Sequence, residues 1–162
     1  MKKLIVVRHG KSSWKNPDLA DHDRPLKKRG YNDAQLVIKA FKTYFQQPVK
    51  MLSSSAKRAL TTAEMFKEGL EVSDDYFEVN ADLYTFDVSE LLEVIKNQSD
   101  EDDKLMVFGH NPAMTQLVNF LGDENIDNLP TTGLVVIDFE VDHWKNINNG
   151  KTLVTLFPKM FK

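Results

Sequence analysis

Apolar residues along this chain occur in two patterns, short continuous runs and longer stripes at helical spacing. Leu4 to Val7 is an unbroken aliphatic run, which predicts a strand buried on both faces. Residues 10 to 26 are polar and irregular, carry Pro17 and Pro25, and read as a long loop. From Gly30 to Phe45 the residues Ala34, Val37, Ile38, Phe41 and Phe45 recur every three or four positions, which predicts a helix. Val49 to Leu52 is a second short strand ended by Ser53 to Ser55. A second helical stripe follows at Ala59, Ala63, Phe66 and Leu70, with Gly69 near its end.

A third strand is expected around Tyr76 to Val79. Asp87 and Glu90 are spaced as a capping box ahead of Leu91, Leu92 and Ile95, so a helix should start there. The acidic run Asp100 to Asp103 reads as a solvated turn. Lys104 to Phe108 is the next strand, broken by Gly109-His110-Asn111-Pro112, and a helix runs on to Leu121 with Gly122 as its stop. Leu134 to Val141 and Lys151 to Phe157 predict a late antiparallel hairpin, with Asn148-Asn149-Gly150 before its second strand. Strands that alternate with helices imply an α/β fold, a three-layer α/β/α sandwich with a mostly parallel sheet made mixed by the hairpin. No linker or repeat interrupts it, so residues 1–162 are expected to form a single domain.

Bulk properties narrow the function. With 162 residues, 41% apolar and 28% charged, the chain suits one globular core. A net charge of −3 disfavours general nucleic-acid or anionic-membrane binding, yet a local arginine cluster can still hold a small anion. There is no cysteine, which removes disulfides, thiolate metal sites and a cysteine nucleophile, and suits a reducing compartment. The four apolar residues before Arg8 are too few for a signal peptide or a membrane span, so the expected location is cytoplasmic.

The candidate chemistry sits at three junctions of one kind. Leu4–Val7 runs into Arg8-His9-Gly10, Val49–Leu52 into Ser53-Ser54-Ser55-Ala56-Lys57-Arg58, and Lys104–Phe108 into Gly109-His110-Asn111. In open α/β sheets, ligands bind beyond the carboxyl ends of the strands. If these strands are parallel neighbours, two histidines and two arginines converge there as a phosphate site. Arginine grips phosphate through planar, permanently charged donors. A histidine nucleophile must be neutral, and neighbouring guanidinium charges favour that state. Gly10 would orient His9 if its backbone met the ring's other nitrogen.

At these residues the chain resembles the histidine phosphatase superfamily, which includes the cofactor-dependent phosphoglycerate mutases. Arg8-His9-Gly10 is similar to the family's signature. Leu26, Gly30 and Ala34 resemble its first helix start, although Lys27 stands where threonine is usual. Ser54-Ser55-Ala56-Lys57-Arg58-Ala59 with Thr62-Ala63 resembles its second arginine motif, and Gly109-His110-Asn111 its second histidine motif. The short length and Asp23-Arg24-Pro25-Leu26 bring it nearest the SixA-type phosphohistidine phosphatases. The resemblance spans Met1 to about Phe157. It implies a phosphoglycerate mutase-like fold and phosphoryl hydrolysis through phosphohistidine on His9, without metal or cofactor. Arg8, Arg58 and His110 would hold the phosphoryl group. Asn16 is similar to the mutases' substrate-binding asparagine, one residue later than usual.

Family members with a general acid carry it after the mid-chain strand. Asp87 and Asp82 are the candidates here, and helix capping accounts for Asp87 equally well. A missing acid would favour a labile phosphoramidate, so the expected substrate is a phosphohistidine protein. The alternatives are a small-molecule phosphomonoester phosphatase or mutase and, in another class, a non-catalytic phosphate-binding module. His22 and His143 read as ordinary surface or core residues, and Lys57 and Lys27-Lys28-Arg29 as solvated charge. Trp14 could line the pocket mouth or pack its loop, and Thr131-Thr132-Gly133, ahead of a late strand, could reach the site edge but reads first as a turn. The sequence leaves the oligomeric state open.

Overall fold

The computed structural model describes all of residues 1–162. Its single sheet contains β1 (Lys2–Arg8), β2 (Lys50–Ser53), β3 (Phe77–Val79), β4 (Lys104–Gly109), β5 (Leu134–Phe139) and β6 (Lys151–Leu156). They lie in the order β3-β2-β4-β1-β5-β6. Only β5 runs against the others, since it pairs antiparallel with both β1 and β6. The helices are α1 (Lys28–Phe41), α2 (Lys57–Gly69), α3 (Val88–Lys96) and α4 (Ala113–Leu121).

The strand period of two divides the core. Ile5 and Val7 face one cluster with Val37, Ile38 and Phe41 of α1 and Ala63 and Phe66 of α2. Leu4 and Val6 face the other with Leu91 and Ile95 of α3 and Leu117, Val118 and Leu121 of α4. Helices on both faces bury the sheet twice over, which is why β1 needs its unbroken apolar run. Each large aliphatic or aromatic side chain buried this way contributes about 1.5–3 kcal/mol. The three-layer α/β/α architecture follows.

Three local details differ from the sequence pattern. The first helix ends at Phe41 rather than Phe45, because Phe45 reaches the same core from the following turn, its ring 5.8 Å from that of Phe41. At α3 only half of the capping box forms. Asp87 accepts from the backbone of Ser89 (2.7 Å) and Glu90 (3.3 Å), whereas the Glu90 carboxylate takes the Thr85 hydroxyl at 2.6 Å. Gly122 does close α4, but with an extended backbone. Glycine is required there by close approach, since a Cβ would lie 2.3 Å from Thr152 Oγ1.

Candidate active site

Sheet register decides which residues meet. In the parallel pair β1–β4, Arg8 lies opposite Gly109, so the next residues on each strand, His9 and His110, emerge side by side. Their ring centroids are 5.1 Å apart. The chain leaves β1 toward β2 on one flank and β4 toward β5 on the other, which makes this pair a topological switch point where crevices form. In β2, Ser53 pairs with Phe108, and the following Ser54 places its hydroxyl 2.8 Å from His110 Nε2. Three residues later α2 begins, and its first turn turns Lys57 to solvent and buries Arg58.

His9 is fixed by one short contact. Its Nδ1 lies 2.7 Å from the Gly10 carbonyl. A carbonyl only accepts, so Nδ1 carries the proton and Nε2 keeps its lone pair. That lone pair accepts from the Arg58 Nε–H at 3.4 Å. The loop itself is clamped from three sides. Gly10 donates to Thr62 Oγ1 (2.9 Å), which in turn donates to the Arg58 carbonyl (2.8 Å). The Thr132 backbone N–H donates to the carbonyls of Arg8 (3.0 Å) and His9 (3.1 Å). At the start of α1, a Cβ on Gly30 would sit 2.8 Å from the Lys11 carbonyl, so only glycine lets that helix support the loop.

Burial sets the charge state. It pushes the His9 pKa down to about 3; the Gly10 carbonyl opposes the shift, and the charges of Arg58, Arg8 and Arg24 reinforce it. Burial likewise pushes His110 down to about 3, reinforced by His9, Arg58 and Arg8 and opposed by Asp21. Both imidazoles are therefore neutral at ordinary pH, the state in which an imidazole nitrogen can act as a nucleophile.

That neutrality costs stability in acid. The unfolded chain's histidines take protons below about pH 6.5, while the folded ones stay neutral until near pH 3, so stability falls as pH drops through this window. Between pH 7 and 5 the loss is on the order of 2 kcal/mol for each imidazole. Thermal melting at pH 7 and 5 should show it, with a smaller drop in His110→Asn. Equal drops in both proteins would contradict the assignment.

Three polar atoms of residues that belong to this cluster or bond its loop are buried without a partner, namely Arg8 Nε, His110 Nδ1 and Thr132 Oγ1. Arg8 is otherwise held by Leu129, whose carbonyl accepts from Nη1 at 2.9 Å. Buried polar atoms are almost always satisfied, so free ones beside these guanidinium groups suit a place that receives a polar ligand. Combined with the guanidinium charges, this arrangement can bind a tetrahedral oxyanion against His9 Nε2. Nowhere do three or more His, Asp or Glu side chains gather as metal ligands.

The structure thus brings together Arg8, His9, Arg58 and His110. It does not bring in Asn16, which lies in the exposed loop and accepts from the backbone of Asp18 (3.1 Å). Asp87 is occupied in capping α3, and Asp82 is exposed. His143 pairs with Asp100 on the surface (2.9 Å).

Several residues at the site carried no sequence signal of their role. Asp21 accepts from Arg58, Arg24 and Tyr84 at once. His22, unconnected in sequence, meets the Ser55 hydroxyl at 2.9 Å and packs edge-on to Tyr84. Arg24 is buried, bonds to Ser12 Oγ and stacks on the exposed ring of Trp14 at 3.2 Å. Its hints in the sequence are its place in Asp23-Arg24-Pro25-Leu26 and its spacing from Asp21, three residues along the polar loop. Ser54, Thr62 and Thr132 were visible only as parts of longer motifs.

Residues 4–83 match the histidine phosphatase superfamily (branch 1). An uncharacterised protein of Mycobacterium tuberculosis is 30% identical over 155 residues, covering 89% of this chain and 93% of the relative. Among solved structures, the protein histidine phosphatase SixA complexed with tungstate superposes with a TM-score of 0.82 at 21% identity, over 99% of both chains. A mycobacterial glucosyl-3-phosphoglycerate phosphatase in complex with VO3 gives a TM-score of 0.69 at 12% identity, over 95% of this chain and 98% of the other. At such identities these superpositions show the phosphoglycerate mutase-like fold.

Proposed function

Because the chain belongs to the histidine phosphatase superfamily, we propose that it is a phosphatase working through phosphohistidine on His9, with a phosphohistidine protein as its substrate. The observation that carries this reading is the neutral, oriented His9 ring beside unpartnered polar atoms. His9 Nε2 attacks phosphorus, the bond to the leaving group breaks, and water later cleaves the new P–N bond. Arg58 and Arg8 neutralise the phosphoryl oxygens, and His110 offers Nδ1 as a further hydrogen-bonding atom.

The choice of substrate turns on proton supply. The carboxyl that holds the Arg58 guanidinium, Asp21, cannot donate. Partial burial raises the Asp21 pKa, but hydrogen bonds from Tyr84, Arg58 and Arg24 outweigh that and hold it well below the usual carboxylate range, so it has no proton to give. An alkoxide leaving group needs a proton at the moment of cleavage, whereas the nitrogen of a phosphoramidate can carry one beforehand. An open groove of about 720 Å³ beside the site, lined by Tyr84, Phe86, Val88 and Pro112 among others, also suits a polypeptide more than a closed sugar pocket.

A cytoplasmic location suits a chain without cysteine. No helix is long and apolar enough to cross a membrane. The test compares kcat/KM on a phosphohistidine peptide with that on sugar phosphates, each with and without a chelator. A strong preference for the phosphoramidate, unchanged by chelation, is expected. Faster turnover of sugar phosphates, or strict metal dependence, would refute the reading.

A further inference from the structure

We propose that Asp21 is a positioning residue, which turns the Arg58 guanidinium so that its Nε edge faces the phosphoryl group. The inference rests on the phosphatase reading above and adds a residue to it. Both terminal nitrogens of Arg58 point at Asp21. Nη1 donates to its backbone carbonyl at 2.7 Å and Nη2 to its Oδ2 at 2.9 Å. The end of the guanidinium fork is thereby occupied, and the side left over carries Nε, 3.4 Å from His9 Nε2. A guanidinium has five donors in a fixed plane, so anchoring one edge fixes where the other edge points.

Asp21 is itself held as an anchor needs to be. Tyr84 donates its hydroxyl to Oδ2 at 2.6 Å, and Arg24 Nη1 donates to Oδ1 at 3.0 Å. Arg24 is locked in turn by the Ser13 carbonyl (3.2 Å), Ser12 Oγ and the face of Trp14. Tyr84 packs edge-on against His110, so the anchor is tied to both sides of the site. The carboxylate also sets a negative charge against Arg24 and Arg58, two of the three guanidinium groups whose charges act on His9. Removing that charge should strengthen resting binding of anions while spoiling the alignment needed for reaction. A group that only stabilised the fold would have no reason to separate the two effects.

The test measures kcat on a phosphohistidine peptide, the inhibition constant of inorganic phosphate and the melting temperature. It uses wild type, Asp21→Ala and Asp21→Asn. Asp21→Ala should lower kcat at least about tenfold while phosphate binds as tightly as in wild type or tighter. Asp21→Asn keeps the backbone carbonyl and an amide oxygen able to accept from Nη2, and should recover most of the lost kcat. A kcat for Asp21→Ala within threefold of wild type would overturn the positioning role. So would equal losses of kcat and phosphate affinity, or an asparagine variant no better than alanine. An inactive wild-type protein would overturn the phosphatase reading and this inference together; an active one isolates Asp21.

Discussion

Replacing His9 with alanine should abolish turnover but leave the protein able to bind phosphate. The substitution removes Nε2, the proposed nucleophile, so the loss should be about a thousandfold or more. The anion site loses much less. Arg8 Nε and His110 Nδ1 remain as free buried polar atoms, and Arg58 stays anchored by Asp21. Turnover assays paired with equilibrium phosphate binding separate the two effects. Residual activity within tenfold of wild type would remove His9 from the nucleophile's role, and simultaneous loss of binding would mean that the variant had damaged the site as a whole.

Replacing Arg58 with alanine is expected to cost about a hundredfold or more in kcat/KM, the scale of losing one donor to a developing oxyanion. Arg58 makes three contacts to two residues, Asp21 at both terminal nitrogens and His9 at Nε. Lysine cannot reproduce that span, because an ammonium is a single point with no fork. Arg58→Lys should therefore resemble Arg58→Ala. Near-normal activity in the alanine variant, or full recovery with lysine, would show that the guanidinium does not grip the transition state.

The elements of the fold were legible because their cause is local. Runs such as Leu4–Val7 and stripes such as Ala34, Val37, Ile38 and Phe41 record which faces are buried, and the structure buries those faces. Where periodicity misled, at Phe45, the residue still packs on the core but from beyond the helix end. Three strand ends bearing Arg8-His9, Arg58 and His110 could likewise be read as converging. Their actual meeting depends on the register of β1 with β4 and of β4 with β2, which no local pattern encodes.

The polar loop is where the sequence was silent. Asp21, His22 and Arg24 lie in a stretch without hydrophobic period, and their partners Arg58, Ser55 and Tyr84 are distant along the chain. A carboxylate that only holds an arginine leaves the same trace as any solvated aspartate. Asn16 shows the converse. Its place after the signature suggested a substrate contact, yet its side chain closes a turn onto Asp18. Asp87 looked equally able to cap or to donate a proton, and its two backbone partners at the start of α3 commit its carboxylate to capping.

The central claim is that a covalent bond forms at a particular nitrogen. Brief reaction with a labelled phosphodonor, followed by alkaline quenching and peptide mapping, tests it directly. The account predicts acid-labile phosphate on His9, absent from His9→Ala; label on another residue, or turnover with no trapped intermediate at any time, would contradict it.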